Sequence, residues 1–243
     1  MHMKNIWKIA LLRMVLGVVS CSRVDEHGND PYDGKRFLFI NGEEFDIASD
    51  SRIPAHVNSI FVYEGKIYIA GTKREGLGTV VLTTATVSIL QPKINGSHEK
   101  AQESILMETT ENSFGESVFV SDVDVYVAGY ERIKRPNYVG QYYYRAVLWK
   151  NGKLQSIECE HGTGIIYSIY VSGNDVYALG LDANDKALWK NGVKHIVYHD
   201  ATRLLSTLFV YDGDIYAGGT DGFWINKEKQ SYGTYGVNTI FVK

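Results

Sequence analysis

Ser168-Ile169-Tyr170-Val171-Ser172-Gly173-Asn174-Asp175-Val176-Tyr177-Ala178-Leu179-Gly180, followed shortly by Ala187-Leu188-Trp189-Lys190-Asn191-Gly192, carries the pattern on which the fold turns. Two short runs rich in β-branched and aromatic residues flank a glycine turn, and a third run ends in Asn-Gly, the strongest short hairpin signal. The first run recurs as strand a at Ser59-Ile60-Phe61-Val62, Ser117-Val118-Phe119-Val120, Thr207-Leu208-Phe209-Val210 and Thr239-Ile240-Phe241-Val242. Strand b begins eight residues after each of the first four starts, at Ile67, Val125, Val176 and Ile215, and each copy ends in glycine. A constant offset means an a–b connection that never varies, as a tight hairpin requires. Glu64-Gly65, Gly173-Asn174 and Asp212-Gly213 suit its turn.

The third run, strand c, is clearest at Ala146 to Gly152 and Ala187 to Gly192, with a weaker copy at Gly222 to Lys227. Strand d follows at Lys153 to Ile157 and Val193 to Tyr198. Repeated sets of four short antiparallel strands predict an all-β fold, a β-propeller of about five four-stranded blades. Phe37-Leu38-Phe39-Ile40-Asn41-Gly42 has the strand c signature, with Glu43 to Ile47 as strand d. The closing blade is therefore expected to be shared between the N- and C-termini, which would hide two open sheet edges. It has a, c and d but no recognisable b, and residues 23–34 are too polar to supply one. Either that blade has three strands or the chain is shortened.

The Ile169 to Ala178 core and the two Trp-Lys-Asn-Gly blocks resemble the tryptophan-lysine-asparagine-glycine repeat lipoproteins of Bacteroides-like bacteria. The resemblance covers roughly residues 36–243 and implies a surface or periplasmic propeller without implying an activity. The N-terminus agrees on address. Lys4 and Lys8 precede a mostly apolar Ile9 to Val19, too short to span a bilayer. Leu16-Gly17-Val18-Val19-Ser20-Cys21 resembles a lipobox, in which the cysteine sulfur is lipidated and the chain is cut just before it. Residues 1–20 thus read as a lipoprotein signal peptide, 21–35 as a polar tether and 36–243 as the repeat domain. The expected location is the bacterial envelope, at the outer membrane, on its periplasmic or surface side. Arg13 departs from the leader pattern by interrupting the apolar stretch. Without the three bases of the leader, 22 basic residues face 28 acidic ones, so the mature charge is about −6, which argues against nucleic acid as a partner.

Successive strand a starts are 58, 51, 39 and 32 residues apart. The excess lies in the b–c connection Tyr130 to Tyr144 and in the connection Gln91 to Glu116, both expected as loops on one face. Loops that vary on a rigid frame carry binding residues. Tyr130, Arg132, Arg135, Asn137, Tyr138 and Tyr143 are the candidate ligand contacts, suited to stacking on a sugar or bonding a protein. Side chains alternate along a strand, so Tyr142, Tyr143 and Tyr144 cannot all face one side. The recurring Tyr68, Tyr126, Tyr177, Tyr216, Trp149 and Trp189 read as shared core. Asp122, Asp124, Asp175, Asp212 and Asp214 read as turn chemistry.

Catalytic signatures are not found: there is no Gly-x-Ser-x-Gly, zinc-helix motif or phosphate loop. The repeated strand a cores present Ser, Thr, Val, Phe and Tyr but no acid for a carboxylate pair. Asp50, Asp200 and Asp221 lie in loops. His56, His161 and His199 sit at unlike offsets, and Glu158-Cys159-Glu160-His161 matches no standard metal spacing. No cofactor or metal is expected. The favoured reading is a lipid-anchored, non-catalytic module binding a glycan or protein. A glycan-active enzyme with acids supplied from loops, or a shortened copy without a working site, are the rivals. Replacing Cys21 with Ala is expected to abolish metabolic lipid labelling and membrane retention; membrane association that survives the change contradicts the lipid anchor.

Overall fold

The computed structural model describes residues 16–19, 37–40, 43–46, 51–77, 80–91, 103–109, 112–136, 138, 140–160, 162–201, 203–220, 222–230, 236–237 and 240. Cys21, the 21–35 tether, Asp50, Asn137, His161, Asp221 and, apart from Ile240, the closing strand Thr239–Val242 lie outside the described residues.

Met1–Asp50 and Ser51–Lys243 form separate compact units. The first holds a three-stranded antiparallel sheet in the order β1 (Leu16–Val19), β2 (Phe37–Ile40), β3 (Glu43–Asp46). β2 and β3 fall where strands c and d were expected. β1 stands beside β2, in the place for which no strand b was recognised, and it comes from the apolar stretch assigned to the leader. Four apolar residues, two of them valine, suit a short strand as well as a leader. A chain cut before Cys21 would keep β2 and β3 and lose β1.

The second unit is four four-stranded antiparallel sheets. Sheet 1 is β4 (His56–Tyr63), β5 (Lys66–Leu77), β6 (Val80–Leu90) and β7 (Glu103–Leu106). Sheet 2 is β8 (Asn112–Ser121), β9 (Asp124–Lys134), β10 (Tyr142–Lys150) and β11 (Lys153–Gln155). Sheet 3 is β12 (Gly164–Ser172), β13 (Asp175–Asp182), β14 (Asp185–Lys190) and β15 (Val193–Val197). Sheet 4 is β16 (Leu205–Tyr211), β17 (Asp214–Gly219), β18 (Gly222–Ile225) and β19 (Glu228–Lys229). Each sheet is a meander whose strands pair in chain order.

The first strand of every sheet carries a bulge, which makes Asn58, Glu116, Tyr167 and Ser206 extra residues. Opposite each bulge lies the glycine that ends strand b: Gly71, Gly129, Gly180 and Gly219. A Cβ at any of them would overlap the carbonyl oxygen of His56, Phe114, Ile165 or Leu204 respectively. The repeated glycine is therefore the imprint of the bulge, where the opposing backbone comes too close for a side chain.

Successive sheets bury both faces of their middle strands against each other. Val125 and Val127 of β9 pack with Val87 and Ile89 of sheet 1. Tyr126 and Ala128, on its other face, pack with Ile166 and Ile169 of sheet 3. Sheets 3 and 4 join through Leu179, Leu188, Leu208 and Trp224. Burial on both faces explains why these strands read as unbroken apolar runs. The first strands are tied by an aromatic row, Phe61–Phe119–Tyr170–Phe209, with successive ring centroids 4.5, 4.8 and 4.9 Å apart. Tyr68, Tyr126, Tyr177, Trp149 and Trp189 are all buried, as shared core requires, whereas Tyr216 is half-buried.

The Trp-Lys-Asn-Gly block is a clamp between neighbouring sheets. The indole N–H of Trp149 donates to the Glu108 carbonyl (2.7 Å), and that of Trp189 to the Glu158 carbonyl (2.5 Å). Trp224 donates to Asp200 Oδ1 (2.8 Å). In each case the acceptor lies just after the last strand of the preceding sheet. Ser88 holds the tryptophan position in sheet 1, by its pairing with Ile69, and its hydroxyl donates likewise to the Arg52 carbonyl. The motif asparagine works within its own sheet. Asn151 accepts from Val125 N (2.8 Å) and donates to Asp124 (2.8 Å), and Asn191 and Asn226 do the same to Val176 and Asp175 and to Ile215 and Asp214. Lys150 and Lys190 complete the turn by pairing with Asp124 and Asp175 at 2.6 and 2.8 Å. Bonding to lysine and asparagine holds both carboxyls below the usual range. These aspartates are structural.

Gly192 (φ +80°) accepts at its carbonyl from Glu158 N at 2.7 Å. A Cβ there would overlap the Ser156 carbonyl oxygen, whereas a Cβ at Gly213 (φ +85°) meets nothing. Gly213→Ala is expected to cost about 1 kcal/mol for its left-handed backbone. Gly192→Ala adds an overlap worth about 1–3 kcal/mol more. Urea unfolding of the two variants checks this; equal losses would mean that the close approach between sheets carries no energy.

Candidate functional site

The segment Tyr130 to Tyr144, expected as a loop, is instead the far end of a long hairpin. β9 and β10 stay paired out to Lys134 opposite Tyr142, beyond the last β8–β9 pair at Asn112 opposite Arg132. Alternation through YERIK and YYYR lets both strands run on where a polar loop was expected. The turn is closed by Arg135 N donating to the Gln141 carbonyl at 3.0 Å. The other long connection also divides differently. It contains β7, which pairs with β6, and its residues 92–102 lie outside the described residues.

Register decides what the hairpin presents. Tyr130, Arg132 and Lys134 share a face with Tyr142 and Tyr144, on the side where Tyr126 and Ala128 meet sheet 3. Tyr130 stacks on Phe114 (4.7 Å) and meets the edge of Tyr144 (5.2 Å). Burial, followed by the nearby Glu116 carboxylate, pushes its hydroxyl up to about 12, so Tyr130 is a packed neutral phenol. The Arg132 guanidinium lies 4.7 Å over the Tyr142 ring. Tyr142 and Tyr144 are 43% and 44% exposed, and Tyr138 in the turn is 57% exposed.

Between this hairpin and sheet 3 runs a groove of about 350 Å³. Arg135, Tyr142, Tyr143 and Tyr144 line one side, and Thr163, Gly164, Ile165, Leu181, Ala183 and Asn184 the other. Of the expected ligand contacts, Arg135 and Tyr143 line the groove, Arg132 backs it through Tyr142, and Tyr130 packs at its root. Tyr138 stands at the hairpin tip, and Asn137 lies outside the described residues. Tyr142, Tyr144 and the sheet 3 wall were not among them. Tyr142 and Tyr144 were accessible to sequence reasoning by counting back in twos from the buried Ala146. The opposite wall had no sequence signal, because it is assembled from two distant segments.

Both walls are anchored by buried carboxylates. Glu131, fully buried on the hairpin's other face, accepts from Thr109 Oγ1 (2.6 Å) and pairs with Arg145. Asp182, 2% exposed, accepts from Cys159 Sγ (2.9 Å) and from Glu160 N (3.4 Å), and pairs with Lys194. The thiol also reaches the Thr163 carbonyl (3.1 Å), and Ala183 N donates to that same oxygen (2.7 Å). Asp182 thereby fixes the segment that carries Thr163 and Gly164. Glu158 and Cys159 thus hold chain segments in place, and among the described residues no three His, Cys, Asp or Glu are disposed to hold a metal.

One acid was overlooked. β8 begins five residues before Ser117 and so includes Glu116, the bulge residue of sheet 2, half-buried with its carboxyl pushed up by burial. Its equivalents are Asn58, Tyr167 and Ser206, so among the described bulge residues it has no carboxylate partner. Asp200 is taken by Trp224, and His56 and His199 are exposed in different settings.

Fold and groove together define an all-β protein of repeated four-stranded sheets in which the β9–β10 hairpin forms a cleft against sheet 3. Comparison of the chain with protein-family models and with curated protein sequences returned no match.

Burial raises the Asp182 carboxyl, but bonds from Cys159, Lys194 and Glu160 N outweigh it and hold the carboxyl below its ordinary value. A depressed carboxyl stabilises the fold above its unfolded pKa of about 4, and that contribution is lost as pH falls through the folded value. Asp182→Asn is expected to lose on the order of 2 kcal/mol at pH 7 by leaving Lys194 only the exposed Glu160 as a partner. In urea titrations the gap from wild type should narrow below about pH 4. A gap unchanged with pH would show that the ion pair is not its source.

Proposed function

We propose that the chain is a lipid-anchored, non-catalytic binding module of a bacterial cell envelope, with its ligand site in the groove between the β9–β10 hairpin and sheet 3. The four sheets are blades of a five-bladed propeller whose last blade is made from the two ends of the chain, as in the Trp-Lys-Asn-Gly repeat lipoproteins it resembles. The observation that carries this reading is the pair of half-exposed tyrosines, Tyr142 and Tyr144, facing a groove beside Arg135 on a hairpin that rises from a rigid frame. Aromatic rings left in water beside a hydrogen-bonding wall suit the apolar faces and hydroxyls of a sugar. Ion pairs hold both walls, so little ordering is required when a ligand enters.

Lipid attachment at Cys21 supports residence in the envelope, and maturation there would remove β1. Intact-mass measurement of the membrane-extracted protein reads both at once: a chain beginning at a lipidated Cys21 has no β1.

A second reading, a glycan-active enzyme, has one observation in its favour. Glu116 is a desolvated carboxylate beside Tyr130 and Tyr167, whose hydroxyls are raised by burial and by that same acid. Glycoside hydrolysis by the common mechanism needs a second carboxylate roughly 5–10 Å away, and the equivalent positions of the other sheets hold Asn, Tyr and Ser. Binding without turnover is therefore the better-supported reading.

On a glycan array, the wild-type chain is expected to bind selectively, and the Tyr142→Ala, Tyr144→Ala double variant to lose at least about tenfold in affinity, some 1.4 kcal/mol. Both side chains are half exposed, so the thermal midpoint should stay close to that of wild type. Undiminished binding by the double variant would remove the groove as the site.

A further inference from the structure

We propose that the ligand of this groove is an acidic glycan, with the sugar rings against Tyr142 and Tyr144 and a carboxylate or sulfate against Arg135. The inference rests on the groove being the ligand site and adds the chemical class of the ligand.

Charge is the first observation. From Arg132 to Arg145 the chain has four cations and no acid, within a protein whose net charge is −3. Arg145 is neutralised by Glu131. Arg132, Lys134 and Arg135 meet no carboxylate among the described residues. Lys134 lies directly opposite Tyr142 and Arg132 opposite Tyr144, so the cations alternate with the tyrosines across one face of the hairpin. Unpaired like charges this close raise a local positive potential that an anion relieves.

The second observation is the facing wall. None of its groove-lining residues, Thr163 to Ile165, Leu181, Ala183 and Asn184, is charged. Of the acids close to it in sequence, Glu160 and Asp182 are both paired with Lys194, and Asp185, next to Asn184, is exposed and outside the groove lining. Glu116, at the root beside Tyr130, is half-buried and is not among the groove-lining residues. An anion entering the groove thus meets unpaired cations on one side and neutral hydrogen-bonding groups on the other.

Tyr142 and Tyr144 supply the third. They share a face, about 7 Å apart along the strand, and each leaves almost half its surface in water. Flat apolar ring faces carrying anionic groups fit this alternation, with a planar carboxylate or a sulfate held by the guanidinium fork of Arg135. An acidic peptide offers no succession of ring faces to two tyrosines. A nucleic acid would be repelled by the acidic remainder of the chain.

Isothermal titration of the full chain with four probes of similar length tests the assignment. These are tetragalacturonate (carboxylated), a heparin tetrasaccharide (sulfated), cellotetraose (neutral) and tetraglutamate (an acidic peptide); an octathymidylate is added as nucleic acid. One of the acidic sugars should bind at least about tenfold more tightly than cellotetraose and the peptide. Which of the two binds distinguishes carboxylate from sulfate. Its affinity should fall as salt rises, and Arg135→Gln should weaken it about tenfold while leaving any cellotetraose binding unmoved. Cellotetraose bound equally well, or Arg135→Gln without effect while the Tyr142→Ala, Tyr144→Ala variant abolishes binding, would overturn the acidic class and leave the groove standing. Tight peptide or oligonucleotide binding would overturn it as well. Glycan binding untouched by either variant would overturn the groove itself.

Discussion

The indole N–H of the motif tryptophan has to find an acceptor in the preceding sheet, and much of the structure follows from that need. Trp149, Trp189 and Trp224 are wholly buried. An indole in such a place contributes a large apolar surface, but an unpaired N–H would cancel about 1–3 kcal/mol of the gain. The acceptor comes from the segment just after the preceding sheet's last strand. That segment is held in return by the glycine carbonyl three residues beyond the tryptophan in sheets 2 and 3. A single sheet would leave its tryptophan unsatisfied and its apolar faces wet. Stacking is therefore a condition of the fold, as in other repeat architectures where one unit cannot bury its own core. In sheet 1 Ser88 stands in the tryptophan position and bonds with a hydroxyl instead, to the Arg52 carbonyl of its own unit.

On this frame the β9–β10 hairpin acquires its stiffness. Its base is part of the sheet 1–sheet 2 and sheet 2–sheet 3 cores, and its outer half is held on one face by the buried Glu131 and its partner Arg145. The other face is left for Arg132, Lys134, Tyr142 and Tyr144. A strand that buries one face and projects the other will align alternate side chains without further ordering. The wall opposite is fixed by a different device, the Asp182 carboxylate gathering Cys159, Glu160 and Lys194. Two independently stiffened walls make a preformed groove, the kind of site in which affinity is not spent on ordering the protein.

How much of this was legible in the chain depended on whether a residue's role was local. Asn-Gly turns, the eight-residue offset and the terminal glycine of strand b are local rules, and they located the strands of sheets 2 and 3, the first three of sheet 4 and the first two of sheet 1. Where the motif is replaced, the reading failed: sheet 1 has Ser88-Ile89-Leu90-Gln91 in place of Trp-Lys-Asn-Gly, and β6 and β7 went unseen. Extension of β9 and β10 was missed because arginines and a proline near the turn look like a loop, while alternation along the flanking residues says strand. Parity counted outward from the buried Ala146 places Tyr142 and Tyr144 on the face opposite that of Tyr143. Glu116 was overlooked because it is an extra residue, outside the period that the repeat imposes.

By itself the sequence determined that the protein is all-β, built of repeated hairpins, with a Trp-Lys-Asn-Gly block in two copies, a weaker form of it in a third and a fixed a–b turn in all four. Those features follow from backbone geometry within a few residues, where glycine, asparagine and alternation leave little choice. Only the tertiary structure decided that the block clamps one sheet to the next, that the strand b glycine faces a bulge, and that Tyr142 and Tyr144 meet Thr163 and Asn184 across a groove. Each of these joins residues far apart in the chain. Their meeting is set by how whole sheets pack, which no local propensity encodes.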